Sequence, residues 1–271
     1  MKLGIPVYQD VNLLDVAGPL EMFYWASQIK PDFETVLISE DGQAVTSING
    51  VRFEVQAGFA GAPALDIVWV PGGKPEALEA IMRAPDSAYL KYLRQIAAKA
   101  TWVCSVCEGA LLLAKAGLLD GHAATTHWAF VDCLKKFPAI EVDTTHKRFL
   151  VSGNRLTGGG ISSGLDESLE LIRLLFGADV AKSVQRTTQY FPAPPVHAQL
   201  PATAPLCDMV FWGSLGCCSQ VYRRQHAPRL LSEKGTVFFR GPLRVMWVPF
   251  ECISHWRAAC AARPAKVMGI G

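Results

Sequence analysis

The chain has 271 residues, half of them hydrophobic, so it can bury a sizeable core as one large domain or as a domain with an appendage. No apolar run approaches a membrane span, and the opening MKLGIPVYQD passes into strand-like sequence without an apolar leader core, which excludes a membrane protein and predicts a cytoplasmic location. The formal charge of +2 hides an asymmetry: residues 1–204 carry 17 Lys+Arg against 21 Asp+Glu, and residues 205–271 carry 9 against 3.

In chain order, KLGIPVY from Lys2 reads as a first strand. Residues 13–27, LLDVAGPLEMFYWAS, have helical spacing interrupted at Gly18 and Pro19, with Pro19 suited to a first helical turn. Segments 33–39 and 51–55 read as further strands. DIVWV, 66–70, is a continuous apolar run closed by Pro-Gly-Gly, as in a strand buried on both faces. Helical spacing follows at 75–83 and 87–99, then a strand at 101–105 and an apolar helix. AATTHWAF, 123–130, reads as a short strand running into a helix at 127–136. Residues 148–160 read as a hairpin turning at Gly153-Asn154, and 164–176 and 178–189 as helices. Strands alternating with helices predict an α/β fold with an open, mostly parallel sheet flanked by helices, whose sites gather at the carboxyl ends of strands.

This domain is placed at 1–195. Residues 196–271 read as a Pro-rich linker and an atypical basic tail. Five prolines between 191 and 205 favour extended chain, and beyond them lie five of the eight cysteines and three of the seven tryptophans. The tail's Cys217, Cys218, Cys252, His255 and Cys260 match no zinc finger or ribbon spacing. Its basic residues are scattered, with Arg223 and Arg224 the only adjacent pair, so no nucleic-acid partner is expected. Cys104, Cys107 and Cys133 lie in strand or helix patterns and do not look like a secreted disulfide framework.

The stretch TWVCSVCEGALLLAKAGLLDG, 101–121, carries the chemistry. It reads as a strand, then Cys107, Glu108 and Gly109, then a helix: a strand-to-helix elbow with a thiol at its tip. Gly109 supplies the small residue such a turn needs two places on. A thiol at a helix N-terminus is expected to have a depressed pKa and to be reactive. Cys104, inside the strand pattern, reads as a core residue, and its Cys-x-x-Cys spacing with Cys107 straddles the strand end, which weakens a redox or zinc reading.

These residues resemble the ThiJ/PfpI superfamily, which shares the fold of class I glutamine amidotransferases. The resemblance covers about 1–195 and rests on LLDVAGPLEMF, VPGG at 70–73, CSVCEGALLLAKAGLLDGHAATTHW at 104–128 and LTGGGISSGLDESLELI at 156–172. It implies a flavodoxin-like sandwich. Within the superfamily the sequence looks most like the isonitrile (cyclohexyl isocyanide) hydratase branch, and also like the sensor domains of AraC-type regulators. The hydratase resemblance implies addition of water to an isocyanide to give an N-substituted formamide. Cys107 would form a covalent thioimidate and Asp15 would exchange protons with substrate and water. A carboxylate beside the thiolate would have a raised pKa.

Backbone N–H groups of Gly73 and Glu108 would stabilise the anion, while Gly72 serves the turn. Gly160 and Ile161 match a segment that lines the pocket. Glu108 departs from the pattern, which has Thr there in the hydratases and His in the protease-like branch; it can act as a second proton-transfer group or disfavour the thiolate. His127 is a supporting residue, expected to make structural hydrogen bonds near the site. No cofactor and no metal are expected; the partners implied are a small apolar substrate and a second copy of the chain as a homodimer. Another cysteine-dependent enzyme of the superfamily, acting on aldehydes or peptides, and a non-catalytic ligand sensor remain alternatives.

Overall fold

A computed structural model describes residues 1–201 and 203–209 and the strand segments 231–233, 236–241 and 244–246. The chain divides into two compact units, Met1–Cys218 and Ser219–Gly271.

The first unit is built on a seven-stranded sheet. Its elements in chain order are β1 (Lys2–Pro6), α1 (Leu13–Ser27), β2 (Glu34–Ser39), β3 (Val45–Thr46), β4 (Arg52–Phe53), β5 (Ala57–Gly58), β6 (Ile67–Val70), α2 (Pro75–Arg83), α3 (Ala88–Ala97), β7 (Trp102–Ser105), α4 (Gly109–Lys115), β8 (Ala123–Ala124), α5 (Val131–Leu134), β9 (Glu141–Val142), β10 (Phe149–Ser152), β11 (Arg155–Gly158), α6 (Ser163–Phe176) and α7 (Ala178–Thr187). The sheet order is β10-β11-β7-β6-β1-β2-β5. Every pairing is parallel except the β10–β11 hairpin at one edge. Helices α1, α6 and α7 pack on one another, as do α2, α3 and α4, which is the expected flavodoxin-like sandwich.

The central strands are apolar because both faces are covered: Ile67, Val68, Trp69 and Val70 are all fully buried, as are Leu111, Leu112 and Leu113 of α4. Each such side chain contributes roughly 2 kcal/mol of transfer free energy. The order of strands sets the site, since β6 and β7 lie side by side with Val70 opposite Ser105. Their carboxyl ends therefore present Pro71-Gly72-Gly73 and Val106-Cys107-Glu108 to one another.

Three elements differ from the sequence reading. Helix α1 runs through Pro19 from Leu13, so the proline stands inside the helix and not in its first turn. Pro19 has no N–H for the carbonyl of Asp15, and that carbonyl accepts instead from the indole Nε1 of Trp69 at 3.2 Å. The strand expected over 123–130 is only Ala123–Ala124, and the helix expected over 127–136 is a single 3-10 turn at Trp128–Phe130 followed by the short α5. Cys133 is not free: it forms a disulfide with Cys207, and tethers the segment after the prolines to α5.

In the second unit, Leu231–Glu233, Thr236–Gly241 and Arg244–Met246 form an antiparallel three-stranded sheet. Cys217, Cys218, Arg223, Arg224, Cys252, His255 and Cys260, singled out in the tail, lie outside the described residues. No helix among the described residues is long and apolar enough to cross a membrane.

Candidate active site

Cys107 sits where the elbow was expected and has φ +58°, the left-handed region that costs a non-glycine residue about 1–2 kcal/mol. Several bonds hold it there. Its N–H donates to the Gly159 carbonyl at 2.9 Å, its carbonyl accepts from Thr126 Oγ1 at 2.8 Å, and the preceding Val106 N–H donates to Val70 at 3.1 Å. Gly109 is obligatory because a side chain there would overlap the Val70 carbonyl.

Asp15, from the first turn of α1, lies beside Cys107. The ligand atoms of Asp15, Cys107 and Glu108 all lie within 4.8 Å of one another. Asn12, just before α1, ties them together. Its Nδ2 donates to Glu108 Oε2 at 3.2 Å and Asp15 Oδ2 at 3.5 Å, and approaches Cys107 Sγ at 3.7 Å. The Gly72 N–H donates to Asp15 Oδ2 at 2.9 Å, and the Ile161 N–H to Cys107 Sγ at 3.5 Å. Two carboxyls and a thiol can together present ligands to a cation. Here the oxygens and sulfur also face N–H donors from Asn12, Gly72 and Ile161, and burial first, then the neighbouring acids, raises the pKa of Asp15 and of the thiol, which suits the holding and transfer of protons.

The thiol is fully buried, with no solvent-accessible surface at Cys107, and three expectations change. Its pKa is pushed well up, not down, first by burial and then by Asp15 and Glu108; the Ile161 N–H opposes this. The dipole of α4, a helix of only seven residues, is outweighed by loss of water and two neighbouring acids. Glu108 also uses the backbone donors assigned to the reacting anion, because its carboxylate accepts from the Gly73 N–H and from its own N–H. Gly72 does more than turn the chain, since a side chain there would overlap the Glu108 carboxylate and crowd Asp15 Oδ2.

The two carboxyls differ. Burial and the nearby Glu108 push Asp15 well above the usual carboxylate range, against the Gly72, Asn12 and Cys107 hydrogen bonds. Burial raises Glu108 too, but hydrogen bonds from the Cys107 thiol, two backbone N–H groups and Asn12 oppose it.

The glycine run 158–160 is explained by close approaches. A side chain at 158 would overlap the Glu167 carboxyl, and one at 160 would overlap the His127 ring. Ile161 adopts φ +25°, and with Gly160, His127, Trp128, Lys147 and Leu200 it borders a cavity of about 320 Å³. Ile161 thus stands between that cavity and the sulfur. His127 does not reach the thiol by any hydrogen bond seen here. Its Nδ1 accepts from the Ala129 N–H at 3.2 Å, and burial lowers its pKa to about 4, so it is neutral and structural. Asn12, Thr126 and Glu167 were missed. Asn12 directly before an apolar helix was a helix-cap signal, but its side chain makes no cap bond and turns to the acids instead.

An α/β sandwich with a strained cysteine elbow and a carboxyl delivered by the first helix defines a class of protein, and sequence comparison agrees. Residues 1–174 match the DJ-1/PfpI family model, and the chain belongs to that family. It is 40% identical over 205 residues to an isonitrile hydratase of Pseudomonas putida, covering 76% of this chain and 85% of that protein. It is 27% identical over 192 residues to the HTH-type transcriptional regulator GbdR of Pseudomonas aeruginosa, but that match spans 70% of this chain and only 50% of the regulator. Among solved structures, a ThiJ/PfpI family protein from Pseudomonas syringae superposes with a TM-score of 0.67 at 32% identity, over 75% of this chain and 81% of that one.

Proposed function

We propose that the protein is an isonitrile hydratase-like enzyme that uses Cys107 as nucleophile. The observation that carries this reading is the convergence of Asp15 on Cys107 in a chain 40% identical to a named isonitrile hydratase. In the reaction, the Cys107 thiol gives its proton to a neighbouring carboxylate as Sγ bonds to the terminal carbon of R–N≡C, and the Asp15 proton goes to that carbon, giving the thioimidate R–N=CH–S–Cys107. Water then adds to the same carbon, the nitrogen takes a proton, the C–S bond breaks, and R–NH–CHO leaves with the thiol restored. The raised pKa of Asp15 supports its role as the acid, because a protonated carboxyl is then available near neutrality.

The test is formamide production from cyclohexyl isocyanide, with Cys107→Ala and Asp15→Asn in parallel. Turnover that both substitutions abolish supports the reading, and no turnover by the unaltered protein overturns it. One observation favours a ligand-sensing alternative: the sulfur has no solvent exposure. Under the enzymatic reading, Gly160–Ile161 must yield to admit substrate. We further propose that the protein acts as a homodimer, which light scattering at working concentration checks.

A further inference from the structure

We propose that Glu108 is the general base of this site: it takes the thiol proton from Cys107 while Asp15 supplies the acid. This rests on the hydratase reading above and divides its proton transfers between two carboxyls. The geometry favours that division. Glu108 is 6% exposed, and its carboxylate lies in a cradle of N–H donors: Asn12 Nδ2 at 3.2 Å, the Gly73 N–H and its own N–H. The thiol of Cys107 is a further donor to the same carboxylate. Gly72 is a glycine because Oε2 fills the space its side chain would take. Asp15 has one donor fewer, the Gly72 N–H, the Cys107 thiol and a long contact from Asn12, with a single backbone N–H among them, and its Oδ1 has no hydrogen-bond partner. Donors stabilise the charged form of a carboxyl and their absence the neutral form. Glu108 is therefore the ionised member and Asp15 the protonated one, which is the assignment an acid and base pair needs.

The protons balance. Glu108–COO⁻ accepts the Cys107 proton as the C–S bond forms, and the Asp15 proton goes to the isocyanide carbon. On hydrolysis, Asp15–COO⁻ takes a proton from the attacking water and Glu108–COOH gives its proton to the nitrogen. When the C–S bond breaks, the proton on the former water oxygen returns by way of Glu108 to the thiol.

Besides each other, Asp15, Cys107 and Glu108 face Tyr8, which follows β1, and Asp15 also faces the buried Glu167 of α6; burial first, then Tyr89, Glu108, Asp15 and Cys107, raises the Tyr8 pKa well above the usual range. The test is Glu108→Gln, which keeps the shape and removes the base, measured in two ways. One is turnover of cyclohexyl isocyanide. The other is the pH dependence of Cys107 alkylation by iodoacetamide, which needs no isocyanide.

Two results are expected together. In Glu108→Gln, kcat falls about 100-fold, the low end for a proton-transfer group, with KM nearly unchanged. Loss of the neighbouring charge also moves the alkylation midpoint of Cys107 to lower pH. Damage to the fold that exposed the sulfur would lower the midpoint as well, so the expected result includes an unchanged melting temperature in Glu108→Gln. In the unaltered protein, alkylation below the thiol midpoint also shows a shoulder that follows a carboxyl titration, and the shoulder disappears in the variant. Turnover that is unchanged or faster in Glu108→Gln overturns the proposal and makes Glu108 an obstruction. Absence of the shoulder in the unaltered protein also overturns it. A shoulder lost in the variant, with no turnover by the unaltered protein, sinks the hydratase reading alone and leaves Glu108 as the base of a different reaction.

Discussion

Asn12 Nδ2 donates to Glu108 Oε2 at 3.2 Å while lying 3.5 Å from Asp15 Oδ2, so one neutral amide holds two buried carboxyls side by side. Its two N–H donors suit this position, and a third acid there would be ruinous. Asn12→Leu removes the donors, raises both carboxyl pKa values and leaves Glu108 less often ionised. Turnover is expected to fall about 10-fold, the effect of losing roughly one charge-assisted hydrogen bond. Asn12→Asp adds an acid to a cluster already short of donors. Its own pKa would be raised on folding, so it costs little at acidic pH and about 2 kcal/mol or more near neutrality. Melting temperatures at acidic and neutral pH check this: a deficit that grows with pH is expected, and an equal deficit at both would contradict the electrostatic account.

Ile161 separates Cys107 from the neighbouring cavity, and its φ of +25° is one that isoleucine rarely adopts. Replacing it with glycine relieves the backbone strain and removes the side chain that borders the opening, while the N–H to Sγ remains. Ile161→Gly is expected to speed iodoacetamide alkylation of Cys107 several-fold with little change in melting temperature, because strain relief, about 1 kcal/mol, offsets the added chain entropy of glycine. Unchanged alkylation would mean that substrate reaches the sulfur by another route.

Gly109 and Gly72 separate folding from chemistry. A side chain at 109 meets backbone, the carbonyl of Val70, whereas one at 72 meets the Glu108 carboxylate as well as the Glu108 N–H. Backbone of a central strand cannot move aside cheaply. Gly109→Ala is expected to lose about 3 kcal/mol or more in denaturant unfolding, as overpacked core positions do. Gly72→Ala is expected to lose activity out of proportion to stability, with kcat down at least about 10-fold, because the Glu108 carboxylate must leave its cradle. Equal stability losses in the two variants would count against this distinction.

The elbow and the sandwich were legible because they depend on patterns that sequence displays directly. A buried parallel strand is continuously apolar, as in IVWV of β6, and the small residue after the nucleophile is written as Gly109. The pairing of Asp15 with Cys107 came from the family resemblance, since no periodicity links residues so far apart. The protonation state was not legible. A helix N-terminus argued for a reactive thiolate, but burial and two acids reverse the direction, and burial is known only once the chain is folded. Asn12 was hidden because its side chain turns away from the helix it precedes, and the Cys133–Cys207 disulfide because it joins the domain to a segment that was read as appendage.

Glu167 gives the last prediction. It is fully buried in α6 behind the elbow, and neither carboxyl oxygen has a hydrogen-bond partner. Burial first, and Asp15 second, hold its pKa well above the usual carboxylate range. A carboxyl whose pKa rises on folding contributes its full stability below the unfolded pKa and loses it as pH climbs toward the folded value. In Glu167→Gln that loss is absent. The stability of the variant relative to the unaltered protein should therefore grow above pH ~4.5, by up to about 1.4 kcal/mol per pH unit, until the folded pKa is passed. Denaturant unfolding of both proteins at several pH values between about 4 and 8 measures the slope. A flat difference would show that Glu167 has the same pKa folded and unfolded, which a fully buried carboxyl without donors cannot have.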